Sequence, residues 1–168
     1  MTLDELNYLD RPARAEALRK CCGATRWVEQ MLDVFPVADR DTLFGQADTI
    51  WDELTAADWR EAFTHHPKIG DLNALKEKFA STSAWAAGEQ GAVAQASDDT
   101  LRALAAGNDA YEQKFGYIFI VCATGKSADE MLHLLQARLP NPAEVELRVA
   151  AGEQRKITRL RLEKLLSA

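Results

Sequence analysis

The apolar positions of this chain recur with helical spacing over most of its length. Trp27, Val28, Met31, Leu32 and Phe35 repeat at i, i+1, i+4, i+5 and i+8, which predicts one buried face of a helix that Pro36 terminates. Leu43, Phe44, Ala47, Ile50, Trp51 and Leu54 repeat the pattern. Thr55, with Asp58 three residues on, predicts a new helix start that leads into Trp59, Ala62 and Phe63. Ser97 is the expected cap of a helix carrying Leu101, Leu104, Tyr111 and Phe115, with Gly116 as its stop. Ser127-Ala128-Asp129-Glu130 reads as a capping box before Met131, Leu134 and Leu135, and Pro140 closes that helix. Asn141 and Pro142 supply an N-cap and a first-turn proline for a long last helix to about Leu166. Tyr117–Ala123, bounded by Gly116 and Gly125, fits a strand or a buried helical segment equally well. The sum is an all-α, single-domain helical bundle covering residues 1–168.

Composition narrows the class. With 47% hydrophobic and 27% charged residues, the chain is expected to be a soluble globular protein. A net charge of −6 without a basic stripe argues against a nucleic-acid partner, because phosphate contacts dominate that affinity. The longest apolar run, Tyr117–Ala123, is far too short to span a bilayer, so no membrane partner is expected. The N-terminal segment has no apolar run that would make a secretory leader, and the C-terminal residues are not a peroxisomal address. The cysteines Cys21, Cys22 and Cys122 make no disulfide framework, and reduced thiols in the cytoplasm are the simplest reading.

Candidate chemistry gathers at three places. In Thr64-His65-His66-Pro67-Lys68-Ile69-Gly70-Asp71, the proline pushes His66 out of the α region and past the helix end. An imidazole on a loop held by rigid helices suits general acid–base work. The plainer alternative is that both histidines only face the helix macrodipole. Glu89, beside Gln90, is either a pocket carboxylate or a solvated helix residue. Arg159 and Arg161 near the chain end offer a planar fork for a carboxylate or ring oxygen, or simply complement the helix terminus. Cys122 reads as a buried structural thiol. Adjacent histidines splay apart, and His133 has no carboxylate at ligand spacing, so no metal is expected.

Taken together and in order, these segments resemble the 2-oxo-4-hydroxy-4-carboxy-5-ureidoimidazoline (OHCU) decarboxylases. That family's pattern is HPxIG, then Glu-Gln, then FGxxFxxCxxGxSxxE, then KIxxxRL. It is matched here by His66–Gly70, Glu89-Gln90, Phe115–Glu130 and Lys156–Leu162, with the likeness running from about Trp27 to the C-terminus. The resemblance implies an all-α homodimer that decarboxylates OHCU to (S)-allantoin in urate breakdown, with no metal and no organic cofactor. It implies His66 and Glu89 as the catalytic acid–base pair, Gln90 and Arg161 as substrate-holding side chains, and Pro67 beside them. It also implies that the backbone of Tyr117, Ile118, Phe119 and Ile120 reads the ureide ring. Two positions depart from the pattern: Ala86 stands where a serine is common, and Ile118 where a proline is common. Two other readings are a helical adaptor without catalysis and a hydrolase acting on the same class of ureide.

Overall fold

The computed structural model describes residues 1–67 and 93–167. Among these residues there are eight α-helices and no strand. They are α1 (Leu3–Tyr8), α2 (Arg11–Cys21), α3 (Thr25–Leu32), α4 (Arg40–Glu53), α5 (Ala56–Thr64), α6 (Val93–Phe115), α7 (Ala128–Arg138) and α8 (Ala143–Leu165). The all-α expectation holds. The chain forms two compact units, one of residues 1–66 with 149–168, the other of residues 67–148.

In the first unit, local chemistry starts each helix. Thr2 and Glu5 close a capping box on α1, and Asp10 caps α2, which carries Pro12 in its first turn. The periodicity above did not reveal these two helices, because each buries few residues: Leu6 in α1, Leu18 and Cys21 in α2. Helix α3 lacks a side-chain cap of its own. Glu61 of α5 takes that role, accepting from the Thr25 amide at 2.7 Å and the Thr25 hydroxyl at 3.0 Å. The start of α3 is thereby tied to the last turns of α5.

Helices α3 and α4 pack through Trp27, Val28, Met31, Leu43 and Ala47, all buried. The Trp27 indole donates to the Ala47 carbonyl at 3.2 Å, and the Trp51 indole to the Ala151 carbonyl of α8 at 2.9 Å. Each indole thus buries its ring and still satisfies its N–H.

In the second unit, α6 and α7 pack side by side. A β-carbon on Gly107 would lie 2.4 Å from Leu135 Cδ2, so a larger residue there would force that side chain to shift. Ser97 falls inside α6 and does not begin it. The preceding Val-Ala-Gln-Ala is compatible with helix. Gly116, at φ +82°, ends α6 as expected. Segment 117–123 is neither strand nor helix. Tyr111, Phe115, Tyr117 and Phe119 form an aromatic cluster with ring centroids 4.6–6.2 Å apart.

Candidate active site

The site begins at the end of α5. A Thr55–Asp58 capping box starts this helix, and Ala62 and Phe63 anchor it in the core. The His65 amide donates to the Ala62 carbonyl at 3.1 Å and the His66 amide to the Phe63 carbonyl at 3.3 Å. The chain then leaves the helix at Pro67. His65 is exposed and His66 half-buried, as the proline position predicted. Gly23, in the turn between α2 and α3, lies against the His65 ring, where a β-carbon would come within 2.4 Å of its Cγ.

Helix α8 supplies the facing residues. Gln154, Thr158 and Arg161 are spaced i, i+4 and i+7 and so share one face. Gln154 Oε1 is hydrogen-bonded with His66 Nε2. Gln154 Nε2 donates to Thr158 Oγ1 at 3.1 Å. Arg161 Nη2 lies 3.5 Å from His66 Nδ1. Of the two candidate arginines, Arg161 alone turns to the histidine. Arg159 pairs instead with Glu163 at 3.5 Å and lies over the Phe44 ring.

Burial is the largest influence on His66 and lowers its pKa below the ordinary 6.5. The Gln154 bond opposes this, while Arg161 and His65 add to the lowering. The imidazole is therefore neutral at pH 7, the form a general base requires. Burial also pushes the thiols of Cys21 and Cys22 up to about 11, so both stay protonated beside the site.

The other expected site residues belong to the second unit or fall outside the described residues. Pro67 is exposed next to His66. Tyr117 and Ile120 are buried, Ile118 and Phe119 partly so. The Ile120 carbonyl accepts from Arg138 Nη1 at 2.7 Å, and the Arg138 guanidinium lies 4.5 Å from the Phe119 ring centroid. Glu89, Gln90 and the departure at Ala86 lie outside the described residues. Sequence reading missed Gln154. The available signal was its place on the buried stripe Ala150-Gln154-Thr158-Leu162, where a polar side chain is the informative exception.

His66 thus has an amide on one nitrogen and a guanidinium near the other, on an all-α scaffold. Comparison with known proteins places the chain in a family. The sequence model of OHCU decarboxylase matches residues 7–163, and the chain belongs to the OHCU decarboxylase family. It is 39% identical over 149 residues to the uric acid degradation bifunctional protein of Arabidopsis thaliana, an alignment covering 88% of this chain and 45% of that protein. The chain therefore spans less than half of that relative's length. It is 25% identical over 167 residues to the OHCU decarboxylase of Halalkalicoccus jeotgali, covering 98% of this chain and 92% of that one. Its fold matches a crystal structure of OHCU decarboxylase in the presence of (S)-allantoin with a TM-score of 0.69 and 37% identity, over 89% of this chain and 96% of that one.

Proposed function

We propose that this chain decarboxylates OHCU to (S)-allantoin without a cofactor, using His66 and Glu89 as acid–base groups. The observation that carries the reading is the half-buried His66 with Arg161 Nη2 3.5 Å from Nδ1. A base and an anion- or oxygen-binding fork then sit side by side.

The substrate brings its own electron sink. When the bond to the carboxylate breaks, its electron pair becomes a new ring C=C bond. The π pair of the neighbouring C=N moves onto nitrogen, which takes a proton from solvent. The resulting enol gives its O–H proton to His66 and gains a proton at the neighbouring carbon, leaving the ring amide carbonyl of allantoin. Protonation on one face sets the handedness, and Glu89 is the group proposed to assist it. The protein's share is orientation and proton management. Arg161 holds a ring oxygen in preference to the departing carboxylate, since a tight clamp on that group would oppose its loss. Gln90, Pro67 and the backbone of Tyr117–Ile120 complete the proposed substrate contacts.

The single family match over residues 7–163 supports one OHCU decarboxylase-like domain over residues 1–168. The buried, reduced cysteines Cys21, Cys22 and Cys122 support a reducing, cytoplasmic setting. No helix among the described residues is long and apolar enough to cross a membrane. A homodimer is proposed from the family resemblance; sedimentation equilibrium decides it.

The functional test supplies freshly made OHCU and follows circular dichroism of the product with CO₂ release. Optically active allantoin formed faster than in buffer supports the reading. Ring-opened product with retained CO₂ would mark a ureide hydrolase. No acceleration by a folded protein would leave the non-catalytic adaptor.

A further inference from the structure

Gln154 is fully buried, and Thr158 nearly so, on a helix face otherwise lined by Ala150 and Leu162. A buried amide is costly unless its polar atoms are bonded, and leucine or methionine would fill this stripe without that cost. Its bonds show what it does. One amide hydrogen goes to Thr158 Oγ1 at 3.1 Å. The amide oxygen meets His66 Nε2. On the other side of the ring, Arg161 Nη2 stands 3.5 Å from Nδ1.

These partners favour one tautomer. A guanidinium has only donors, so across 3.5 Å it favours a lone pair on Nδ1, and the closer Gln154 oxygen, an acceptor, supplies the stronger hold on the proton at Nε2. A neutral imidazole carries one N–H, which leaves the proton on Nε2, where the Gln154 oxygen accepts it. Turning the amide over would set its NH₂ against Nε2. The ring would then face donors on both sides, with its one proton aimed at one of them. Arg161 thus disfavours the reversed amide, and the bond to Thr158 satisfies the other end of the amide.

We propose that Gln154 is a positioning residue that fixes His66 in the Nε2–H tautomer, making Nδ1, whose lone pair is freed when Arg161 turns to the substrate oxygen, the nitrogen that takes the substrate proton. The identity of that proton rests on the decarboxylase reading; the tautomer does not. The charged or titratable groups acting on the imidazole are Arg161 from α8 and His65 from the end of α5. Cys21 and Cys22, at the end of α2, remain neutral thiols.

The test is long-range ¹H–¹⁵N NMR of histidine-labelled protein near pH 8, with the His66 signals assigned by their loss in His66→Gln. The wild-type ring is expected to show a protonated Nε2 and a lone-pair Nδ1. In Gln154→Met, which keeps the volume, the two nitrogen shifts are expected to move toward each other. The same variant is expected to lose roughly 10²-fold or more in kcat with KM near wild type, since a wrongly protonated catalytic histidine can cost up to ~10⁴. Gln154→Glu keeps the acceptor, so it is expected to retain the tautomer. Its carboxylate would move the acidic limb of the pH profile upward by roughly one to three units. A wild-type Nδ1–H tautomer overturns the proposal without any variant. So does a folded Gln154→Met protein with wild-type kcat. Allantoin formation by the wild-type protein is a separate readout. Its absence counts against the decarboxylase reading, while the nitrogen shifts of the same sample still decide the tautomer.

Discussion

The guanidinium of Arg138 donates to the carbonyl of Ile120 at 2.7 Å and so ties the irregular segment after Gly116 to helix α7. The same side chain is buried against Glu146, donating through Nε at 2.9 Å, and Glu146 also accepts from Tyr111 and from Asn141. Burial and the bond to Glu146 both raise the pKa of the Tyr111 hydroxyl, which therefore stays a donor. Removing one partner of such a pair leaves an uncompensated buried charge. Arg138→Leu is accordingly expected to cost about 3–5 kcal/mol in urea denaturation. Arg138→Leu combined with Glu146→Leu is expected to recover part of that loss. Equal loss in the single and double variants would show that the ion pair is not the source.

His66→Gln is expected to lower kcat by about 10²–10⁴-fold, the usual share of a general acid–base group. His65→Gln is expected to keep most activity, because that ring is exposed and the bonds to Gln154 and Arg161 belong to His66. Steady-state rates of the two variants, with circular dichroism to confirm folding, compare them directly. Equal losses would remove the distinction between the neighbours.

The lowered pKa of His66 has two consequences with pH. Activity requires the neutral ring, so kcat/KM is expected to fall in acid with a midpoint below 6.5. Stability follows the same group by linkage. As pH drops through 6.5 the unfolded chain binds the proton first, so this contribution to folding is full above 6.5 and declines below it until the native ring also protonates. A pH series of melting temperatures for wild type and His66→Gln isolates the effect. A difference confined to the alkaline side would contradict it.

Arg161→Lys keeps the charge and loses the planar fork. Affinity for allantoin is expected to weaken by more than the melting temperature moves, because the side chain is only half-buried. Unchanged affinity by calorimetry would take Arg161 out of the substrate contacts.

What was legible in the sequence was local. Thr55 and Asp58 announce α5 within four residues, and Pro67 alone sets His66 beyond its end. Helices α1 and α2 were equally local in their caps, Thr2 with Glu5 and Asp10 with Pro12, but periodicity is blind to helices that bury one or two side chains. The segment 117–123 could not be assigned because two of its carbonyls are satisfied by side chains. Ile120 uses Arg138, eighteen residues away, and Cys122 uses Lys126. Gln154 was hidden for a related reason. Its partner His66 is eighty-eight residues distant, and only the buried stripe of α8 shows that it points inward.

Gly23 offers a test of how firmly the histidine turn is held. A β-carbon there would fall 2.4 Å from His65 Cγ and 2.7 Å from its Cβ, too close for the end of a flexible side chain to absorb. The clash pushes on the base of the ring, next to the peptide that leads into His66. Gly23→Ala is therefore expected to destabilise the fold by about 1–3 kcal/mol, the usual range for overpacking. Because His66 keeps its bonds to α8 only if that peptide stays in place, kcat is expected to fall as well. His65→Ala removes the ring that Gly23→Ala would strike but leaves the β-carbon. The double variant is expected to regain activity in part, and a Gly23→Ala protein with wild-type melting temperature and kcat would show that the turn yields freely.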